Sequence, residues 1–123
     1  MSRSPITQMH VNELYPRWLL ACEGANHSCC IIDVRTAQEY AEAHVPGAQL
    51  LPLDELSRRL KEIPTGSNIH LICRSGMRSQ KAAGILAEAG FSSIYNIEGG
   101  TMAWVETGYP VSNKAQQDYD QAA

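Results

Sequence analysis

The sequence lacks the features that define several protein classes. It has no apolar run of the roughly 20 residues that a membrane-spanning helix needs. Its first residues contain no apolar core of the kind found in a secretory signal peptide. With 10 basic and 13 acidic side chains, it also lacks the basic excess typical of nucleic-acid-binding proteins. We therefore expect a cytoplasmic protein that has neither a membrane nor a nucleic acid as a partner.

The cysteines lack the patterns of a metal site or a disulfide framework. There is no C-x-x-C pair and no pair of closely spaced histidines, so the sequence predicts no metal and no other cofactor. Cys29 and Cys30 are adjacent in an apolar run, and we expect these two and Cys22 to be small buried hydrophobic residues. Cys73 has different neighbours and is the candidate nucleophile.

A chain of 123 residues, of which 44% are hydrophobic, is sufficient for one folded domain. Apolar runs alternate with helical patterns, which is typical of a parallel sheet with helices on both faces. We expect this domain to span residues 1–111, and the polar residues 112–123 to form a frayed tail. Ligands bind such sheets at the carboxyl ends of the strands, where the cluster around Asp33 and Arg35 and the cluster around Cys73 are predicted to meet.

Capping residues and helical spacing predict the helices. Asn12 is the expected N-cap of the first, and Thr36 with Glu39 forms a capping box for the second. Gly90 is the expected end of the helix that follows Cys73. The predicted helices span residues 12–22, 37–43, 53–63, 80–89 and 101–107.

The stretch from Ile69 to Ser79 is the most informative part of the chain. Its apolar residues predict a buried strand that runs into Cys73, and a helix follows a short polar loop. Cys73 would then lie beneath a helix N-terminus, where free N–H groups and the helix dipole stabilise an anion such as a thiolate. Cys73 is therefore predicted to be an activated nucleophile. Gly76 permits backbone angles that other residues avoid, and Met77 would sit at the crown of the loop, where it could touch an acceptor.

Four motifs follow one another along the chain. They are Asp33-Val-Arg35 with Glu39-Tyr40, His44-Val-Pro-Gly-Ala48, Cys73-Arg-Ser-Gly-Met-Arg78-Ser79, and Gly99-Gly100 with Ala103-Trp104 and Gly108-Tyr-Pro-Val111. Taken in this order, they resemble the motifs of single-domain rhodaneses, which are thiosulfate-type sulfurtransferases. The resemblance covers residues 6–111. It implies a three-layer α/β/α sandwich around a five-stranded parallel sheet of strand order 3-2-4-5-1.

The resemblance also implies sulfur transfer in two steps. Cys73 would take a sulfane sulfur from thiosulfate or a similar anion, hold it as a persulfide, and pass it to cyanide, a thiol or a protein acceptor. The loop N–H groups would curl around the sulfur as a nest. Arg74 and Arg78 would attract the donor anion, and the hydroxyls of Ser75 and Ser79 would donate to the outer sulfur.

Other motif residues are interpreted as structural. Asp33 and Arg35 are expected to brace the loops through hydrogen bonds and an ion pair between Arg35 and Glu39. His44 is interpreted as a turn residue rather than as an acid or base. The sequence leaves open what role beyond structure these residues have.

Two other functions remain open at this point. Phosphatases and arsenate reductases of related fold also place a cysteine and an arginine around an oxyanion, but they resemble C-x5-R, whereas Cys73 and Arg78 form C-x4-R. The shorter loop fits a single sulfur atom better than a phosphate group. The domain could also be an interaction module, or a carrier that receives its sulfur from a protein persulfide.

Overall fold

The computed structural model describes residues 5–22 and 29–113. Within these residues, strands and helices alternate along the chain, as the sequence predicts. The elements are β1 (Ile6–His10), α1 (Val11–Cys22), β2 (Cys29–Asp33), α2 (Ala37–Glu42), β3 (Gln49–Leu50), α3 (Leu53–Leu56), a one-turn 3-10 helix (Leu60–Glu62), β4 (Asn68–Ile72), α4 (Met77–Glu88), β5 (Ile94–Glu98) and α5 (Gly100–Thr107).

The five strands form one parallel sheet in the order β1-β5-β4-β2-β3. This is the predicted order 3-2-4-5-1 counted from the other edge, so the predicted α/β sandwich is confirmed. β2 and β4 are neighbours, and Asp33 pairs with Ile72 in their register. The carboxyl ends of these two strands, and with them Asp33 and Cys73, therefore lie at one edge of the sheet.

Helices cover both faces of the sheet because successive residues of each strand point to opposite sides. On β2, Ile32 packs into the core beneath α3 and α4, whereas Ile31 packs into the core beneath α1, α2 and α5. Such two-sided burial explains why the strand sequences are continuously apolar instead of alternating. Trp104 of α5 is fully buried and packs edge-on against Trp18 of α1, which anchors both helices to the second core.

The first helix begins at Val11, and its cap is His10 rather than Asn12. The ring Nδ1 of His10 accepts from the N–H of Asn12 at 3.3 Å, and the His10 N–H donates to Glu13 at 3.1 Å. This reciprocal pattern resembles a capping box. The prediction for Asn12 is wrong because β1 runs into α1 without a loop, so the last strand residue becomes the cap. The capping box of Thr36 and Glu39 at α2 is confirmed.

The continuous helix predicted over residues 53–63 is also wrong. The chain forms α3 and then a separate 3-10 turn, because the backbone of Arg59 leaves the helical region at φ −119°. The side chain of Arg59 forms ion pairs with Glu55 and Glu62 across this break. The broken path still places Leu56 and Ile63 in the same core, so the apolar pattern is correct although the helix is not continuous.

The prediction that three cysteines are buried is wrong in part. Cys22 is exposed, and Cys29 and Cys30 are half-buried.

Toward the carboxyl end of the chain, the backbone of Ser112 forms two hydrogen bonds with the backbone of His44. The expectation of a frayed tail concerns residues beyond 113, which lie outside the described residues. No helix in the described part of the chain is long and apolar enough to cross a membrane.

Candidate active site

Cys73 follows directly after β4, and its side chain is buried with 1% of its surface exposed. The loop that holds it is short, because α4 begins at Met77 rather than at residue 80. Gly76 precedes the helix with φ 111°, a left-handed conformation that an L-residue adopts only with strain. The predicted loop residues Arg78 and Ser79 therefore lie in the first turn of α4.

The sulfur of Cys73 is surrounded by hydrogen-bond donors. The N–H of Gly76 donates to Sγ at 3.1 Å, and Oγ of Ser79 lies 3.3 Å from it. Burial raises the pKa of the Cys73 thiol. Hydrogen bonds to the sulfur lower it, and they come from the side chain and N–H of Ser79 and from the N–H groups of Gly76 and Ser75. The hydrogen bonds outweigh burial, so the pKa is lowered overall. Contacts of this kind stabilise a thiolate more than a thiol.

The N-terminus of α5 holds the loop from the other side. The N–H of Thr101 donates to the carbonyl of Cys73 at 2.8 Å, and that of Met102 donates to the carbonyl of Arg74 at 3.1 Å. A Cβ atom at Gly100 would collide with both carbonyl oxygens. Gly100, the first residue of α5, is therefore required by the close approach of this helix to the cysteine loop.

Two arginines near the loop are engaged by carboxylates. Arg78 forms a bidentate pair with Glu39 of α2, at 2.7 and 2.9 Å, and this bond lowers the pKa of Glu39 to about 2. Arg35 binds Asp33 instead, at 2.8 Å, so the predicted pair of Arg35 with Glu39 is wrong. The reason is that residues 33 and 35 lie on the same side of the extended chain, two positions apart.

Arg74 has no carboxylate partner among the described residues. Its Nε donates to the sulfur of Met102 at 3.4 Å, and its guanidinium lines a cleft of about 440 Å³. The hydroxyl of Thr101, which lines the same cleft, is buried and has no hydrogen-bond partner. Of the three arginines near Cys73, Arg74 is thus the one whose charge is available to a bound anion.

Ser75 and Met77 point away from the sulfur environment. Both side chains are exposed, and Met77, with 79% of its surface accessible, is the most exposed large apolar residue in the described part of the chain. Met77 therefore lies at the crown of the loop, where it was expected.

His44, in contrast, is buried. Its ring stacks on the ring of Tyr40, and its Nδ1 forms a hydrogen bond with the carbonyl oxygen of Tyr40 at 2.7 Å. These are contacts of a turn residue.

Sequence reasoning missed a polar network behind the loop. The hydroxyl of Ser79 donates to Oδ1 of Asn96 on β5 at 2.5 Å, and Nδ2 of Asn96 donates to Gln8 of β1 at 2.8 Å. Gln8 in turn donates to Gln80 of α4 at 2.7 Å. The available signal was Asn96 itself, an amide within the apolar strand that contains Ile94 and Ile97.

Comparison with known proteins identifies the family of this fold. The family model of the rhodanese-like domain matches residues 17–107. The chain belongs to the rhodanese-like family. The rhodanese-related protein of Thermoplasma volcanium superposes with a TM-score of 0.76 at 26% identity, covering 87% of this chain and 98% of that one.

Curated relatives of this rhodanese-like domain include named sulfurtransferases. A sulfurtransferase of Allochromatium vinosum is 33% identical over 101 residues, which are 82% of this chain and 94% of that protein. The thiosulfate sulfurtransferase GlpE of Pseudoalteromonas translucida is 35% identical over 74 residues, which are 60% of this chain and 70% of that protein. Family membership and these relatives support sulfur transfer in general as the activity.

Proposed function

We propose that this rhodanese-like protein transfers a sulfane sulfur from thiosulfate or a similar anionic donor to cyanide, a thiol or a protein acceptor, through a persulfide on Cys73. The observation that carries the proposal is the environment of the Cys73 sulfur. A buried thiol that receives N–H donors from its own loop and lies under the N-terminus of α4 is suited to the anionic form. The name of the GlpE relative supports thiosulfate as the donor.

The first half of the cycle forms the persulfide. The Cys73 thiolate attacks the outer sulfur of the donor, the sulfur–sulfur bond of the donor breaks, and sulfite leaves with the bonding electron pair. Arg74 supplies positive charge for the sulfonate oxygens at the cleft, which Glu39, Glu42 and Glu106 also line. Arg78 contributes mainly by holding α2 against α4, since the two carboxylate oxygens of Glu39 bind both terminal nitrogens of its guanidinium.

The second half returns the enzyme to its starting form. The acceptor attacks the outer sulfur of the persulfide, the bond to Cys73 breaks, and Cys73 leaves as a thiolate. The N–H donors that favour the thiolate as a nucleophile also make it a good leaving group. The first step requires no separate general base, because no proton has to be removed from an ionised Cys73. In the second step, cyanide or a thiol acceptor attacks in its anionic form, and a thiol acceptor loses its proton to solvent beforehand.

Phosphate or arsenate chemistry is the weaker alternative for this loop. An oxyanion-binding loop of that kind needs its arginine to face the anion, but here Arg78 is engaged with Glu39. The C-x4-R spacing also leaves one residue fewer to surround the oxyanion. Both features favour sulfur as the atom that the loop holds.

Mass spectrometry after incubation with thiosulfate tests the proposal. The Cys73 peptide should gain one sulfur atom, cyanide should remove it, and Cys73→Ser should not acquire it. Cys30→Ser is the matched control and should be loaded like the wild type. An unmodified Cys73, together with hydrolysis of aryl phosphates, would contradict sulfur transfer. Loading by a protein persulfide but not by thiosulfate would support sulfur transfer by a carrier and reject the small-anion donor.

A further inference from the structure

The hydroxyl of Ser79 has one proton and two buried neighbours. Its Oγ lies 3.3 Å from Sγ of Cys73 and 2.5 Å from Oδ1 of Asn96. A carboxamide oxygen can only accept, so the serine proton lies on the Asn96 side. In this arrangement a lone pair of Oγ faces the sulfur, and the thiol of Cys73 donates to Ser79.

The orientation of the Asn96 amide is defined by its other contacts. Its second group faces the carbonyl oxygen of Gly76 at 3.3 Å, and because a carbonyl cannot donate, that group is the NH₂. The same NH₂ donates to Oε1 of Gln8, which is held by Gln80. Oδ1 is thereby directed at Ser79, and with only 4% of Asn96 exposed, water does not replace this bond.

We propose that Asn96 is a positioning residue that tunes the reactivity of Cys73 by competing with it for the hydroxyl of Ser79. In the thiol form, Ser79 donates to Asn96. When Cys73 becomes a thiolate, as nucleophile or leaving group, the hydroxyl turns to the sulfur and Oδ1 of Asn96 loses a buried donor. That loss opposes ionisation.

The competition has a use in the proposed sulfur transfer, on which this part of the inference rests. A thiolate becomes a weaker nucleophile as its pKa falls, and the best attacking thiol has a pKa near the ambient pH. The hydrogen-bond donors of the loop lower the pKa of Cys73 and favour a very stable, weakly nucleophilic thiolate. Asn96 raises this pKa, so that Cys73 is ionised readily and still attacks.

The charged groups near Cys73 do not explain such an effect of Asn96. From α4 and α2 they are Arg78 and Glu39, which bind each other. From the end of β2 they are Asp33 and Arg35, which also bind each other. Four further groups on the neighbouring elements are exposed, namely His10 of β1, Arg74 of the loop, Lys81 of α4 and Glu98 of β5. None of these side chains forms a hydrogen bond with Asn96 or Ser79.

The test measures the pH dependence of alkylation of Cys73 by iodoacetamide, read on the Cys73 peptide. Asn96→Leu, in which the new side chain is similar in size, should move the midpoint about one pH unit lower. The reason is that the Ser79 hydroxyl can then donate to the thiolate without leaving a buried acceptor unpaired. Ser79→Ala should move it higher. In the Ser79→Ala background, Asn96→Leu should cause no shift, since the effect acts through the hydroxyl.

Asn68→Leu is the matched control, because Asn68 lies on β4 at the end opposite Cys73, and its midpoint should equal that of the wild type. If Asn96→Leu does not fold, Asn96→Ala serves the same purpose. A higher or unchanged midpoint in the Asn96 variant, or an equal shift with and without Ser79, overturns the inference. A failure to load sulfur while the midpoints behave as expected would instead reject the proposed function alone.

Discussion

Two neighbouring strands carry cysteines with opposite chemistry. Cys73 follows the carboxyl end of β4, and Cys30 lies near the amino end of β2. Burial raises the pKa of both thiols, and at Cys30, where the nearby Cys29 acts in the same direction, the pKa reaches about 11. At Cys73 the hydrogen bonds from its loop outweigh burial and lower the pKa. Burial therefore does not decide thiol reactivity, whereas the donors around the sulfur do.

The difference follows from where each thiol lies in the fold. In a parallel sheet, the loops from strand to helix meet at the carboxyl edge, where helix N-termini present free N–H groups. At the amino end, the backbone groups near Cys30 are used within the sheet, and its carbonyl accepts from His70 at 3.0 Å. The same residue type is thus the proposed nucleophile at one edge and a packing residue at the other.

The largest expected effect is a difference in alkylation between the two thiols. We compare alkylation rates at pH 7 after dividing the rate of each thiol by its own plateau at high pH. Cys73 should then react at least about a hundredfold faster than Cys30, because its thiolate fraction is larger. Peptide-resolved mass spectrometry with iodoacetamide measures both rates in one sample. Equal normalised rates would show that the loop donors do not activate Cys73.

The second prediction concerns His70, the buried polar group beside Cys30. Burial lowers the pKa of His70 to about 4, so the folded protein keeps it neutral while the unfolded chain binds a proton below pH 6.5. The resulting stability is present above pH 6.5 and is lost as the pH falls to 4, by about 2–3 kcal/mol. The free energy of unfolding of His70→Gln relative to that of the wild type, measured with urea, should therefore rise by about 2–3 kcal/mol between pH 7 and pH 4. A constant difference would contradict this assignment.

The third prediction concerns the backbone of the Cys73 loop. Gly76→Ala has space for its methyl group but must keep φ near 111°, so we expect the loop to shift and the Cys73 alkylation rate to fall about tenfold. Gly66→Ala is the matched control, since Gly66 also has a positive φ and an open environment but lies outside the loop. It should lose comparable stability while Cys73 stays reactive. Equal loss of reactivity in both variants would indicate a general effect.

The smallest expected effect is that of the ion pair between Glu39 and Arg78. Glu39→Gln should lower the free energy of unfolding by about 1 kcal/mol or less, because both side chains are partly exposed. The pKa of Glu39 is lowered to about 2, so this contribution is present above pH 4.5 and is lost as the pH falls toward 2. Glu42→Gln is the control, because Glu42 forms no ion pair with another described residue. A difference between Glu39→Gln and wild type that grows on acidification would contradict the sign.

Much of the fold follows from local sequence patterns. Continuous apolar runs and capping residues predicted the order of strands and helices, and the cysteine loop with its flanking motifs indicated the family. The errors arose where a residue has more than one available partner. Arg35 could have bound Glu39, but Asp33 was closer, and Glu39 was left for Arg78. Competition between partners depends on distances that spacing along the chain does not contain.

The sequence by itself determined which sulfur is the candidate nucleophile and what kind of loop surrounds it, because a cysteine before a glycine-containing loop and a helix is followed by backbone N–H donors. Only the tertiary structure decided which side chains surround that sulfur and its loop. Asn96 reaches Ser79 from a strand 17 positions away, and Glu39 reaches Arg78 across 39 positions. The physical reason is that N–H donors come from the local backbone, whereas side-chain partners are brought together by the packing of distant elements.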